Sequence, residues 1–217
     1  EVARILAPGT RVAIHVAGAV MADDGTAALP DHRARRAEED RRRLRDSVRD
    51  LARVLGEVSG APVTIETGPA PPAGAPAGSE PVYPITVGAP AVPSWGPVGV
   101  TAPYGQGFRV VVSRSGAALY GETDLATSYA IYELADRIGC RWFFPGDLGE
   151  VLPPRGPVSL GRADDRIAPS TVYRGVWYAD EAWRRRNRQG GLKIEAGHAL
   201  ELDWVTSADR QAHPEWI

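Results

Sequence analysis

The chain is 217 residues long, enough to bury a full hydrophobic core and to hold one domain or one and a half. Hydrophobic residues make up 43% and charged residues 24%, with a formal net charge of −2, which argues against a disordered chain or a polyanion-binding one. No apolar run is long enough to span a bilayer, so no membrane partner is expected, and the single cysteine, Cys140, excludes an internal disulfide.

Glu1 opens the chain without a basic and apolar leader pattern, which leaves secreted, cell-envelope and cytoplasmic locations all open. At the other end His213-Pro214-Glu215-Trp216-Ile217 carries no polar stop, and the chain is expected to continue beyond it.

Arg11–Ala17 (RVAIHVA) alternates and is rich in Val and Ile, as a strand requires. Pro30-Asp31 opens a long helix whose apolar positions Leu44, Val48, Leu51, Leu55 and Val58 form one stripe. Gly60 and Pro62 stop it, and Val63–Glu66 reads as a short strand. Gly68 to Ser79 is a Pro/Ala/Gly run expected to be an exposed loop. Tyr83–Gly88 (YPITVG) is the next strand, and GFRVVVS with AALY around Arg114-Ser115-Gly116 forms a hairpin pattern. Thr123 or Asp124 caps a helix ending at Gly139, after which Cys140–Phe144 (CRWFF) is expected to pack as an aromatic core strand. This order fits an α+β fold: a largely antiparallel sheet with two helices on one face. A second unit is expected from about Pro169, where Thr171–Tyr178 (TVYRGVWY) reads as a buried strand.

The run from Gly121-Glu122-Thr123-Asp124 through Tyr129, Tyr132 and Leu134 to Gly139-Cys140-Arg141-Trp142-Phe143-Phe144-Pro145 resembles a known signature. It marks the domain before the barrel in the hexosaminidases of glycoside hydrolase family 20, in α-glucuronidases, and in related uncharacterised bacterial proteins. Pro169-Ser170-Thr171-Val172-Tyr173-Arg174-Gly175 is similar to the segment that opens their barrel, and the stretch after Gly175 departs from family 20. The resemblance implies a non-catalytic domain over 1–165 and the start of a truncated (β/α) barrel over 166–217. It implies a glycosidase as the parent protein, with a carbohydrate substrate and catalytic carboxylates beyond Ile217. The chain alone is then expected to be inactive. A different reading is a carbohydrate-binding or scaffold module without turnover.

Barrel enzymes work at the C-terminal ends of their strands, and glycosidases combine paired carboxylates with hydrogen-bonding side chains. Arg174 suits a bidentate clamp on a sugar, or an internal ion pair. Trp183 reads as a stacking platform or a domain-interface plug. Asn187 is a substrate contact or part of a solvated Arg-rich turn, and His198 is expected as a substrate contact through the resemblance. The other histidines are scattered and Cys140 has no cysteine partner, so no metal or cofactor is expected. The arginines between Asp31 and Arg53 are balanced by Glu38 and Glu39 facing Arg42 and Arg43 at i,i+4, with no aromatics between them. That pattern fits a solvated helix face and not a nucleic-acid partner.

Overall fold

In the computed structural model, which describes residues 1–22, 32–68, 82–192 and 207–216, strand β1 (Val2–Leu6) leads into β2 (Arg11–Val16) and a one-turn helix α1 (Gly18–Met21). The long helix α2 (His32–Ser59) follows, and all five residues of the expected stripe, Leu44 to Val58, are buried. Gly60 adopts a left-handed φ of 71° just past its end, and β3 (Val63–Thr67) then pairs parallel to β2. On the other side of β2 lies β4 (Val82–Val87), also parallel, followed by a 3₁₀ turn and the short helix α3 (Val92–Trp95).

The hairpin forms as its turn chemistry dictates, with β5 (Phe108–Val112) antiparallel to β6 (Ala117–Gly121) and the Ser113 amide donating to the Gly116 carbonyl. Helix α4 (Asp124–Arg137) is capped by Thr123, whose hydroxyl accepts from the Ala126 amide at 3.1 Å. Next come β7 (Arg141–Trp142), β8 (Glu150–Val151), β9 (Val158–Gly161) and β10 (Ala163–Ile167). The chain continues through β11 (Tyr173–Arg174), α5 (Glu181–Arg186), β12 (Gly190–Gly191) and α6 (Ser207–Ala212). Pro30, Asp31 and residues 69–81, expected as a helix start and a loop, lie outside the described residues.

Among the described residues the main sheet has six strands, in the order β10-β5-β6-β4-β2-β3. It is mixed, which corrects the expectation of a largely antiparallel sheet: the pairings among β3, β2, β4 and β6 are all parallel. Helix α2 is a crossover long enough to return the chain to the starting edge, so β3 runs the same way as β2. Only β5 is reversed, antiparallel to both β6 and β10. Helices α2 and α4 both pack on one face, over Val12, Ile14, Ile85, Val110 and Leu119. Each such side chain contributes about 1.5–3 kcal/mol by leaving water.

The opposite face has its own small core, in which Val111, Ala118 and Tyr120 meet Ala91, Trp95 and Val98. Arg109 ties that face together. It forks onto Asp164 of β10 at 2.7 and 2.9 Å and donates to the carbonyls of Trp95 and Pro97 and to the Tyr120 hydroxyl.

Two expectations about burial are corrected. Trp142 is buried, but Phe143 and Phe144 are 66% and 52% exposed, because the strand ends at Trp142, before the turn at Pro145-Gly146. The Phe143 amide donates to the Gly149 carbonyl, which makes 143–149 a tight loop at the tip of the β7–β8 ribbon. Likewise the segment 171–178 is not a long buried strand. Only Tyr173 and Arg174 pair, with Gly191 and Gly190, while Val172, Val176, Trp177 and Tyr178 are exposed.

Candidate functional site

The residues of the Gly121–Pro145 run have separable physical jobs. A Cβ at Gly121 would lie 2.6 Å from atoms of Ala126, so glycine lets the first turn of α4 sit against the end of β6. Glu122 accepts from the amides of Ala102 and Gly107 at 3.0 and 2.7 Å and fixes the loop before β5. Gly139, at φ 97°, closes α4, with the Cys140 amide returning to the Ala135 carbonyl. Cys140 is fully buried and unpaired, and burial pushes its thiol up to about 11.

Three of the four expected site residues, Arg174, Trp183 and Asn187, fall on a loop, residues 171–192, closed at its stem by the β11–β12 pairing and by the Leu192 amide donating to the Val172 carbonyl. This loop lies on α2 and α4. Gln106, fully buried, donates from its side-chain nitrogen to the carbonyls of Thr171 and Val172 at the stem. Gly190 rests on Tyr129: a Cβ there would come within 2.3 Å of the tyrosine oxygen.

Arg174 donates to the carbonyls of Arg188 and Thr171, both at 3.2 Å, and its guanidinium sits 5.0 Å from the centre of the Tyr129 ring. Arg43 of α2 stands 5.8 Å from the same ring and donates to the Gln189 carbonyl. The Trp183 indole packs on the core edge and donates to the Trp142 carbonyl at 3.0 Å. Asn187 donates to that same carbonyl at 3.0 Å and to the Trp183 carbonyl, ending α5. Asp180 caps the other end through the Trp183 amide. Arg174, Trp183 and Asn187 therefore share one loop, and each donates side-chain hydrogen bonds to backbone carbonyls of the chain. His198 lies outside the described residues.

The densest chemistry lies beneath this loop, around Asp50 and Glu150, to which reading the sequence gave no site role. Asp50 of α2 accepts from the Tyr132 hydroxyl at 2.8 Å, from Arg185 at 3.0 Å, and from both arms of Arg186 at 3.0 and 3.2 Å. Glu150 accepts a fork from Arg53 at 2.9 and 2.7 Å and the Trp142 indole N–H at 2.6 Å. Burial alone would raise the Asp50 carboxyl, but hydrogen bonds from Arg186 and Tyr132 and the Arg185 charge outweigh it and hold it at about 2. Arg53 likewise holds Glu150 below the usual carboxylate range. The balanced charges of α2 are thus not simply a solvated face: Glu38 pairs with Arg41, while Arg43 reaches across to Glu181. A sequence signal existed, since Asp50 neighbours Leu51 of the apolar stripe, at the edge where helix meets core.

Among the described residues, two groups of exposed aromatic or apolar side chains stand out as open to a ligand or to another protein surface. Trp177 and Tyr178, 57% and 95% exposed, stand edge to face with ring centres 5.7 Å apart. Phe143, Phe144 and Leu148 project from the β7–β8 tip. Among the described residues no three His, Cys, Asp or Glu side chains are grouped to hold a metal, and no helix is long and apolar enough to cross a membrane.

No protein-family model and no curated protein matches the chain. Among solved structures, it is similar to a family GH115 4-O-methyl-α-glucuronidase with specificity for decorated arabinogalactans. That match has 21% identity and a TM-score of 0.50, and covers 78% of this chain but only 19% of the other. A second is the GH20 β-N-acetylhexosaminidase from Streptomyces coelicolor A3(2), with 17% identity, a TM-score of 0.36, and 80% and 25% of the two chains covered. The first likeness shows a shared fold. The chain spans about a fifth to a quarter of the length of these enzymes.

Proposed function

We propose that this chain is the front part of a glycoside hydrolase acting on an oligo- or polysaccharide. In this reading residues 1–165 are a non-catalytic unit and residues 166–217 begin a catalytic (β/α) barrel. The observation that carries it is the fold shared with the α-glucuronidase over 78% of this chain, together with the Gly121–Pro145 run whose glycines, cap and buried tryptophan build that fold. The acid and base that cleave the glycosidic bond belong to later strands. Such a site needs two carboxylates placed on either side of one bond. Asp50 and Glu150 do not serve, since each is committed to arginines.

Within this reading Arg174, Trp183 and Asn187 act on the substrate indirectly, by shaping the loop that presents Trp177 and Tyr178. His198 is proposed as a direct contact. The exposed Trp177–Tyr178 pair also favours a second reading, a carbohydrate-binding module without turnover. A hydrolysis screen of the intact protein against a glycan panel separates the two. Release of reducing sugar supports the hydrolase; binding with no release on any glycan overturns it.

A further inference from the structure

The loop 171–192 has little apolar anchorage of its own. Val172, Val176, Trp177 and Tyr178 are exposed, and Trp183 is only partly buried against the core edge. Its hold on the rest of the fold is chiefly polar and concentrated in one short stretch. Arg185, 7% exposed, donates to the Tyr132 hydroxyl at 2.9 Å, to Asp50 at 3.0 Å and to Asp46 at 3.3 Å. Arg186 forks onto Asp50, with Glu150 3.8 Å away. Arg188 donates to the Tyr132 carbonyl at 3.1 Å and pairs with Glu133 at 3.3 Å. Trp183 and Asn187 share the Trp142 carbonyl.

Four arginines within five residues, 184–186 and 188, repel one another unless acids on another element meet them. Here Arg185, Arg186 and Arg188 meet acids of α2, α4 and β8, Asp50 meeting two of them at once, while Arg184 lies 3.9 Å from Glu181 of its own helix. An element with few apolar contacts and many polar ones opens at a lower cost than the core beneath it. Removing one partner from a partly buried ion pair leaves its mate uncompensated, so such a contact breaks steeply.

We propose that residues 180–189 form an ionic latch that closes on Asp50, and that the loop 171–192 opens and closes on α2 and α4 as a unit separate from the core. The stem contacts, Gln106 to the Thr171 and Val172 carbonyls and Leu192 to Val172, mark where it hinges. The latch goes beyond the proposed function and does not depend on it, because its test needs no substrate.

The test is limited trypsin digestion of the full 217-residue chain, read by mass spectrometry, on the native protein and on Asp50→Asn. Asparagine keeps the shape and loses the charge. We expect cleavage after Arg184, Arg185, Arg186 and Arg188 to rise about tenfold or more in the variant, with the far-UV spectrum and the protection of α4 amides unchanged. Unchanged cleavage at these sites overturns the latch. Hydrogen exchange on the native chain decides the case if Asp50→Asn fails to fold. The amides of Arg184, Asn187 and Gln189, which donate to the carbonyls of Asp180, Trp183 and Arg184, should exchange together and faster than the Ile131 amide in α4. Exchange of both sets in step overturns it.

Discussion

The Trp183 indole N–H donates to the backbone carbonyl of Trp142 at 3.0 Å, tying a loop residue to the short ribbon that ends the core. The two residues are 41 positions apart, and the bond is seated beside the T-shaped pair of Trp142 and Tyr132, whose ring centres lie 5.6 Å apart. Trp183→Phe keeps most of the packing and loses the donor, for an expected loss of about 1 kcal/mol. Trp183→Ala also loses the packing, and about 2–3 kcal/mol is expected because the site is only partly buried. Urea unfolding monitored by circular dichroism checks both.

Gly121→Ala should destabilise through sterics alone. The added Cβ would meet the Ala126 backbone carbon and Cβ at 2.6 Å, and neither belongs to a flexible side chain. We expect a loss of about 2–3 kcal/mol, read as a lower urea midpoint at unchanged slope. Gly156→Ala, where an added Cβ meets nothing within 4 Å, is the matched control and should be close to neutral.

Arg109→Lys keeps the charge and loses the fork. The ammonium cannot reach Asp164, two backbone carbonyls and the Tyr120 hydroxyl together, so buried acceptors go unmet. We expect a loss of about 2 kcal/mol. Hydrogen exchange should quicken first in β10, whose edge pairing Arg109 supports.

The pH dependence has a definite sign. Asp50 sits at about 2 in the fold, below its unfolded value, so its contribution is fully present above the unfolded value and is lost as pH falls through about 2. Glu150 is shifted in the same direction. The groups facing them are Arg185, Arg186, Arg53 and Tyr132, none of which changes charge between pH 2 and 7. Asp40 and Asp124 are raised by burial, so protonating them on mild acidification favours the fold and partly offsets the trend. Stability should therefore hold from neutrality to about pH 4 and fall below it, by about 2 kcal/mol from Asp50 alone. Unfolding midpoints from pH 2 to 7 check this, and Asp50→Asn should flatten the acid limb.

Cys140 is expected to be inert. Its thiol is fully buried and pushed up to about 11, so almost none is thiolate at neutral pH. Ellman's reagent should leave the native chain unmodified and react with one thiol after denaturation.

Much of the fold was legible where the signals are local. The apolar stripe of α2, the Thr123 cap, the Gly139 stop and the hairpin around Ser113–Gly116 each depend on residues within a few positions. Strand direction was not, because whether β4 joins β2 parallel is decided by packing far along the chain. The strand β10, Ala163-Asp164-Asp165-Arg166-Ile167, shows no apolar alternation, and its place at the sheet edge depends on Arg109, 55 residues earlier than Asp164. Phe143 and Phe144 read as core because the turn at Pro145-Gly146 is visible in the sequence, whereas the end of the strand already at Trp142 is not. Asp50 went unnoticed for a related reason: its arginine partners stand 135 and 136 residues away.

The measurement that bears most directly on the glycosidase reading is reducing-sugar release from a panel of plant and bacterial glycans, run side by side on the intact protein and on residues 1–217. The account predicts release by the intact protein on at least one glycan and none by the shorter chain, because it assigns the acid and base to later strands. Turnover by residues 1–217 alone, or no release by the intact protein on glycans that it binds, would contradict it.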